Sequence, residues 1–525
     1  MNSALFSFTT YRSNSGGECP MFEDFRNRVS LEEGSQFPSN IYRKMVLQPA
    51  YDEAKKNFLA SMIQIHIAHL KMLEEQGLVT REEAVQISAA IDQLDINYFG
   101  TDDYNPQFED LFFRIENKLI ELAGDIAGNL HIGRSRNDMG IAIYRMKLRK
   151  KMLALMEALL ELRTNLVAAA EEHVDTIMIG YTHTQQAQPT TFAHYLKAVI
   201  DQLDRDFKRM QDAYGTINRS SMGAAALTTT GFNISRERMQ ELLAFDEIIE
   251  NSWDAVAGAD YISEAAMVVQ LASLNLGRTS QDFLLWATQE FHAFTLASPY
   301  VQISSIMPQK RNPVSIEHTR SLLSSVVGDT DTVLKMVHNT PFGDIGDTED
   351  DMQPYIWRAI DRLIGIYRLF GSLVVTMDVN KEKLLARAEN SFANVTELAD
   401  TLVRSEKISF RQAHSIVSKC VKKLLSAGEE SLESLTWELA NEQSLAVTKK
   451  TLTISPNDFY TALRPEHFVK IRTLMGGPAP DTMRASLKTA GTHANNMLAW
   501  LDSKKNAIQQ AEDQLHQFVK DWQGK

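Results

Sequence analysis

Residues 141–172 read IAIYRMKLRKKMLALMEALLELRTNLVAAAEE, and nowhere between Gly140 and Gly180 is there a glycine or a proline. Leu148, Met152, Leu155, Leu159, Leu162 and Leu166 recur at alternating steps of four and three. That spacing lays a single apolar stripe along a helix, of the kind that packs in coiled coils and bundles. A second stripe follows Pro189, through Leu196, Val199, Leu203, Phe207, Met210 and Tyr214, and further helical patterns cover about 260–292, 314–338 and 355–377. Five long helices joined by polar connections predict an all-α protein built on an elongated five-helix bundle. A helix of about 40 residues runs roughly 60 Å at 1.5 Å per residue, so part of its packing surface is expected on other subunits.

Outside this centre the chain divides into 1–130, 131–383 and 384–525, an N-terminal helical domain, the bundle and a C-terminal helical domain. In the first, Ser13-Asn14-Ser15-Gly16-Gly17 reads as flexible. Ile63, Ile67, Leu70 and Leu73 share one helical face within a pattern from Ile41 to about Leu78. Thr80 and Glu83 are spaced as a capping box for the next helix. In the last, Phe410-Arg411-Gln412-Ala413-His414 opens a shorter helix and Gly476-Gly477-Pro478-Ala479-Pro480 interrupts the chain.

Composition narrows the function. Glycine and proline together supply 25 + 14 = 39 of 525 residues, too few for a turn-rich sandwich or barrel. The net charge of −13 disfavours a nucleic-acid protein, which carries a basic stripe. No apolar run reaches the roughly 18 residues of a membrane span, and the first twenty residues, with Arg12 as their cation, do not read as a secretory signal. Cys19 and Cys420 make no disulfide framework or metal pattern, so a cytoplasmic setting is expected.

No G-x-G-x-x-G, Walker A loop, G-x-S-x-G or H-E-x-x-H is present. His66 and His69 lack further ligands near them, so they read as packing residues rather than a zinc site. Three polar clusters sit between the apolar stripes, where a rigid scaffold positions chemistry. His131-Ile132-Gly133-Arg134-Ser135-Arg136-Asn137-Asp138 is either a helix start capped by Asn137 or Asp138, or an anion site beside a positive helix terminus. Gly180-Tyr181-Thr182-His183-Thr184-Gln185-Gln186-Ala187-Gln188-Pro189 places a histidine among hydrogen-bonding residues, as proton transfer requires. Ile303-Ser304-Ser305-Ile306-Met307-Pro308-Gln309-Lys310-Arg311-Asn312-Pro313, followed by Glu317, is a basic linker or a site joining hydroxyl, ammonium and carboxamide around a developing anion. Together they suggest acid–base chemistry on a carboxylate-rich small molecule, with no metal or cofactor.

The third cluster resembles the Gly-Ser-Ser-x-Met-Pro-x-Lys-x-Asn signature of the fumarase/aspartase superfamily. Within it the chain is similar to argininosuccinate lyases from about residue 66 to 490, through Gly133–Asp138, Gly180–His183 with Ala187-Gln188-Pro189, Glu250-Asn251-Ser252, Glu397-Leu398-Ala399-Asp400 and Phe410–His414. The resemblance implies a homotetramer with a 20-helix core, each active site assembled from three subunits. It implies β-elimination from an N-substituted aspartate, by default argininosuccinate, giving fumarate and arginine. Carried over by position, Ser304 is the base, Lys310 and Asn312 hold the aci-carboxylate, and His183 with Glu317 is the acid or relay. Ser135, Arg136, Asn137, Thr182 and Gln188 fall in the substrate-binding motifs, and Arg236 is a further anion contact.

Several positions depart from the family pattern. Ile303 replaces the loop glycine, Ile132 and Met139 alter two motif positions, Phe112 replaces a histidine and Val314 an aspartate. Around 340–352 the family carries a Tyr, a Gln and a Lys against the arginine end of the substrate; here the stretch is Phe342-Gly343-Asp344-Ile345-Gly346-Asp347-Thr348-Glu349-Asp350-Asp351. Phe342 and Asp347 are its candidate contacts, and so anionic a stretch favours a cationic group. Two rivals to the argininosuccinate reading follow: a relative acting on another fumarate–amine adduct, such as a di- or polyamine conjugate, and a non-catalytic, crystallin-like homologue.

Overall fold

The computed structural model describes residues 20–94 and 96–524; the Ser13–Gly17 stretch lies outside them. The five patterns become five helices: α1 (Arg136–Glu172), α2 (Phe192–Ile217), α3 (Asp260–Trp286), α4 (Val314–Val337) and α5 (Gln353–Thr376). Packing runs α1 to α2, α2 to α3, α3 to α4, α4 to α5 and α5 back to α1, which closes a ring around one apolar core. The α1 stripe is inside it: Leu148, Met152, Leu155, Leu159, Leu162 and Leu166 are all fully buried. Outward, α3 and α4 present Met267, Leu271, Leu274, Leu285 and Leu322 to solvent in the single chain.

The cap of α1 lies two residues before Asn137 and three before Asp138. Ser135 is the N-cap: its hydroxyl accepts the Asn137 N–H, and Asp138 returns to the Ser135 N–H at 2.9 Å. This reciprocal pairing satisfies orphan donors of the first turn. Three arginines of α1 are buried, which its charge pattern did not announce. Arg145 donates to the Thr216 carbonyl at 2.8 Å and lies 4.1 Å over the Tyr261 ring. Arg149 donates to Asn218, Leu243 and Ala244, and Arg163 to Asp204 and the Ala490 carbonyl. Arg145 thus bonds the last turn of α2, Arg149 the segment between α2 and α3, and Arg163 ties α1 to α2 and to the helix Pro480–Gln523.

The N-terminal pattern divides at Phe58, whose ring turns inward against Tyr144 and Trp357 at 5.3 and 5.5 Å, separating the helices Gln48–Asn57 and Leu59–Glu75. Thr80 and Glu83 form the expected capping box. The helices Val395–Glu406, Phe410–Ser426 and Trp437–Thr448 enclose a second core around Leu398, Ile416 and Phe459. Beyond the 476–480 break, α6 (Pro480–Gln523) leaves that core and lies along the bundle and the N-terminal helices, burying Met483, Leu487, Leu501, Leu515 and Trp522. The residues 384–524 therefore pack in two places. No helix among the described residues is long and apolar enough to cross a membrane.

Candidate active site

The polar clusters fall at two opposite ends of the bundle. At one end, Asn137 Nδ2 donates to the Ala226 carbonyl just beyond α2, and Tyr144 donates to Asp350 just before α5. At the other, the Tyr181 ring lies 5.7 Å from Phe291 beyond α3. α1, 37 residues long, separates the two ends, a distance of about 55 Å at 1.5 Å per residue. Ser135, Arg136, Asn137, Arg236, Phe342 and Asp347 belong to the first end; Thr182, His183, Gln188, Ser304, Lys310, Asn312 and Glu317 belong to the second. Among the described residues no hydrogen bond or ion pair joins His183 to Glu317, or either to Asn137.

At the first end, the turn carrying Asn137 is clamped from behind. The Asp138 carboxylate accepts N–H groups from Ser135, Gly223 and Ala225 at 2.9–3.0 Å. Burial pushes its pKa up to about 6, against the pull of those N–H groups and of Arg134. Arg236 donates to the carbonyls of Met222, Ile249 and Glu250, so its guanidinium ties the 222–226 turn to the 249–250 segment. Arg136 pairs with Asp110 at 2.7 Å and Glu109 at 3.4 Å.

Beside this turn opens a cavity of about 400 Å³, lined by Arg136, Asn137 and Tyr144, by the 48–57 helix, and by Asp344, Gly346, Glu349, Asp350 and Asp351. Phe342 and Asp347 do not line it, although they lie on the same segment; the Phe342 carbonyl instead accepts from Trp253 Nε1 at 3.0 Å. Glu349 is held up to about 8 by burial, by its hydrogen bond with Asp344 and by Asp350, with Arg136 opposing. Burial also raises Asp350, against the 2.6 Å hydrogen bond donated by Tyr144. Sequence reasoning singled out neither Asp138 nor this quartet as site residues. The Ser-x-x-Asp spacing could have flagged Asp138, whereas which acids face inward is set by the turn at 346–348.

At the second end, the cluster read as a loop is a β-hairpin, β1 (Ile177–Thr182) paired antiparallel with β2 (Gln185–Thr191). The alternating Ile, Tyr and Thr residues favour strands. Its two-residue tip puts His183 and Thr184 at φ 52° and 61°. A type I′ turn demands such angles, which Asn-Gly adopts more easily, so the histidine is held exposed at some conformational cost. Gln188 anchors the hairpin to the C-terminal helices through Thr396 at 3.2 Å.

The Ser304 segment is a second small hairpin, Gln302–Ile303 against Arg311–Asn312. The Ser304 N–H bonds to the Lys310 carbonyl at 3.3 Å, and Ser304 Oγ accepts N–H groups from Ile306 and Met307 at 3.4 and 3.1 Å. Backbone donors aimed at a hydroxyl oxygen favour its deprotonated form. Ile306 at the tip is 84% exposed.

A closed ring of long helices with polar clusters at both ends is the architecture of the fumarase/aspartase superfamily. The structure matches that of EDDS lyase in complex with formate with a TM-score of 0.81 and 31% identity, over 97% of this chain and 96% of that one. It shares its fold with fumarate lyase:delta crystallin from Brucella melitensis bound to cobalt, with a TM-score of 0.63 and 19% identity over 79% of this chain and 91% of that one. A lyase family profile matches residues 46–328, and an argininosuccinate lyase C-terminal profile matches 392–470. Argininosuccinate lyase 2 of Agrobacterium fabrum is 39% identical over 459 residues, 86% of this chain and 90% of that protein. The argininosuccinate lyase of Methanosarcina mazei is 36% identical over 495 residues, 92% of this chain and 99% of that protein. The chain belongs to the argininosuccinate lyase family and is a carbon–nitrogen lyase.

Proposed function

We propose that this lyase cleaves an N-substituted aspartate reversibly to fumarate and a free amine, with argininosuccinate as default substrate and arginine as leaving group, in the cytoplasm. The observation that carries the reading is the Ser304 hydroxyl, which accepts two backbone N–H groups on a loop that also carries Lys310. Ser304 takes the proton from the carbon beside one carboxylate, and the electron pair passes into that carboxylate as a doubly negative aci form. Lys310 and Asn312 stabilise it. Its collapse forms the fumarate double bond and breaks the C–N bond, while His183, with Glu317, returns a proton to the departing nitrogen. Ser135, Arg136, Asn137, Thr182 and Gln188 hold the substrate carboxylates, and Arg236 positions Asn137 through the 222–226 turn.

These groups act together in a homotetramer of twenty long helices, in which three chains supply one site. Two features support this: the separation of the clusters by the length of α1, and the apolar face that α3 and α4 leave uncovered. The test is fumarate release from argininosuccinate by the wild type and by Ser304→Ala. Turnover retained in the variant removes the mechanism. The second reading, a different amine, draws on the acidic cavity and is developed next.

A further inference from the structure

The wall of the 400 Å³ cavity beside Asn137 carries six carboxyl groups, on Glu109, Asp110, Asp344, Glu349, Asp350 and Asp351, against a single cation, Arg136. Two of the six, Glu109 and Asp110, are paired with that arginine on one side. Among the described residues no cation is bonded to the four on the 344–351 segment, and burial with the neighbouring Asp344 and Asp350 holds Glu349 up to about 8. Tyr51, Phe58 and Tyr144 and the aliphatic residues Val46, Leu47 and Ala50 make the remaining wall apolar. The cavity adjoins Asn137 and Arg136, which the functional reading assigns to substrate carboxylates.

We propose that this cavity receives the far end of the leaving amine and selects amines that end in a cation and lack a carboxylate, with Asp344, Glu349 and Asp350 as the specificity-determining residues. The proposal rests on the fumarate-forming reading above and specifies its amine. A short alkyl chain ending in an ammonium fills such a space: the methylenes lie on the aromatic wall and the ammonium meets the acids, where its charge favours the ionised form of Glu349. Arginine brings an ammonium too, but its α-carboxylate would enter the same acidic field, where like charge is disfavoured. Agmatine, which is arginine without that carboxylate, keeps the guanidino nitrogen that bonds to fumarate and the cation at the far end.

The experiment measures fumarate consumption in the C–N bond-forming direction with agmatine and with arginine, beside fumarate release from argininosuccinate. Wild type, Asp344→Asn, Glu349→Gln and the double variant are compared. The exchanges are isosteric and remove repulsion, so folding is retained, and circular dichroism checks it. The expected result is a kcat/KM at least tenfold higher for agmatine than for arginine, falling at least tenfold as a ratio in the double variant. Equal or better use of arginine by the wild type overturns the proposal. So does a preference for agmatine that survives in the double variant. Cleavage of argininosuccinate with no reaction of agmatine overturns the proposal and leaves the functional reading standing; inactivity with all three compounds overturns both.

Discussion

Gly223 stands at φ +83°, donates its N–H to Asp138, and has the Arg236 side chain packed over it. A methyl group at this position would lie 2.7 Å from Arg236 Cγ, 3.2 Å from Ile234 Cδ1 and 3.3 Å from Arg236 Cδ. The closest approach is roughly 0.8 Å inside the separation of about 3.5 Å at which carbon atoms rest. Arg236 cannot swing aside cheaply, because its three nitrogens each donate to a backbone carbonyl, of Met222, Ile249 and Glu250. The left-handed backbone costs a non-glycine residue about 1–2 kcal/mol, and overpacking about 1–3 kcal/mol more. Gly223→Ala should therefore destabilise the chain by about 2–5 kcal/mol, read as a lower urea midpoint. The Asp138–Gly223–Ala226 turn also holds Asn137, so turnover should fall by about tenfold to a hundredfold as the carboxylate cradle shifts. Arg236→Ala removes the colliding stem, and in the double variant the two losses should combine less than additively, by about 1–2 kcal/mol. A Gly223→Ala protein with wild-type midpoint and turnover, or strict additivity with Arg236→Ala, would refute this account of the turn.

Ser304→Ala should lower turnover by about a thousandfold or more, while the thermal transition stays put because Ser304 lies on a surface hairpin; a drop of less than tenfold contradicts its role as base. His183→Asn should lower kcat by about a hundredfold or more and keep or raise stability, since asparagine tolerates the left-handed tip; a loss of stability would mean the tip is not strained as described. Stability should fall as pH rises from about 7.5 to 8.5. Glu349, held up to about 8, keeps a proton in the folded chain that the unfolded chain has already lost, while buried His66 and His69, both pushed down by desolvation, are neutral when folded and, above about 7.5, almost wholly neutral when unfolded too. Thermal unfolding of Glu349→Gln should show a flatter profile there, and an unchanged slope would assign the effect elsewhere.

The bundle was legible because its signal is periodic: a four-three stripe free of glycine and proline can satisfy its backbone only as a helix. Capping was partly legible. Thr80 and Glu83 were read correctly, whereas Ser135 was passed over in favour of Asn137 and Asp138, since several good caps adjoin one another and tertiary bonds from Gly223 and Ala225 choose among them. The buried arginines of α1 escaped because a charged residue beside an apolar stripe ordinarily faces water. Arg145, Arg149 and Arg163 go inward only because segments distant in sequence offer them carbonyl, amide and carboxylate oxygens. For the same reason the anionic character of 342–351 was visible in the sequence, but the inward placement of Asp344, Glu349 and Asp350 rather than Asp347 was not. The hairpin bearing His183 was short enough for its polar residues to read as a loop.

The most direct test of the central claim follows fumarate absorbance with purified protein in two reactions side by side, one with argininosuccinate and one with fumarate and a panel of amines including arginine and agmatine. The account predicts fumarate release in the first, consumption in the second, and loss of both in Ser304→Ala. Silence of the wild type in both reactions would contradict it and bring the non-catalytic, crystallin-like reading forward.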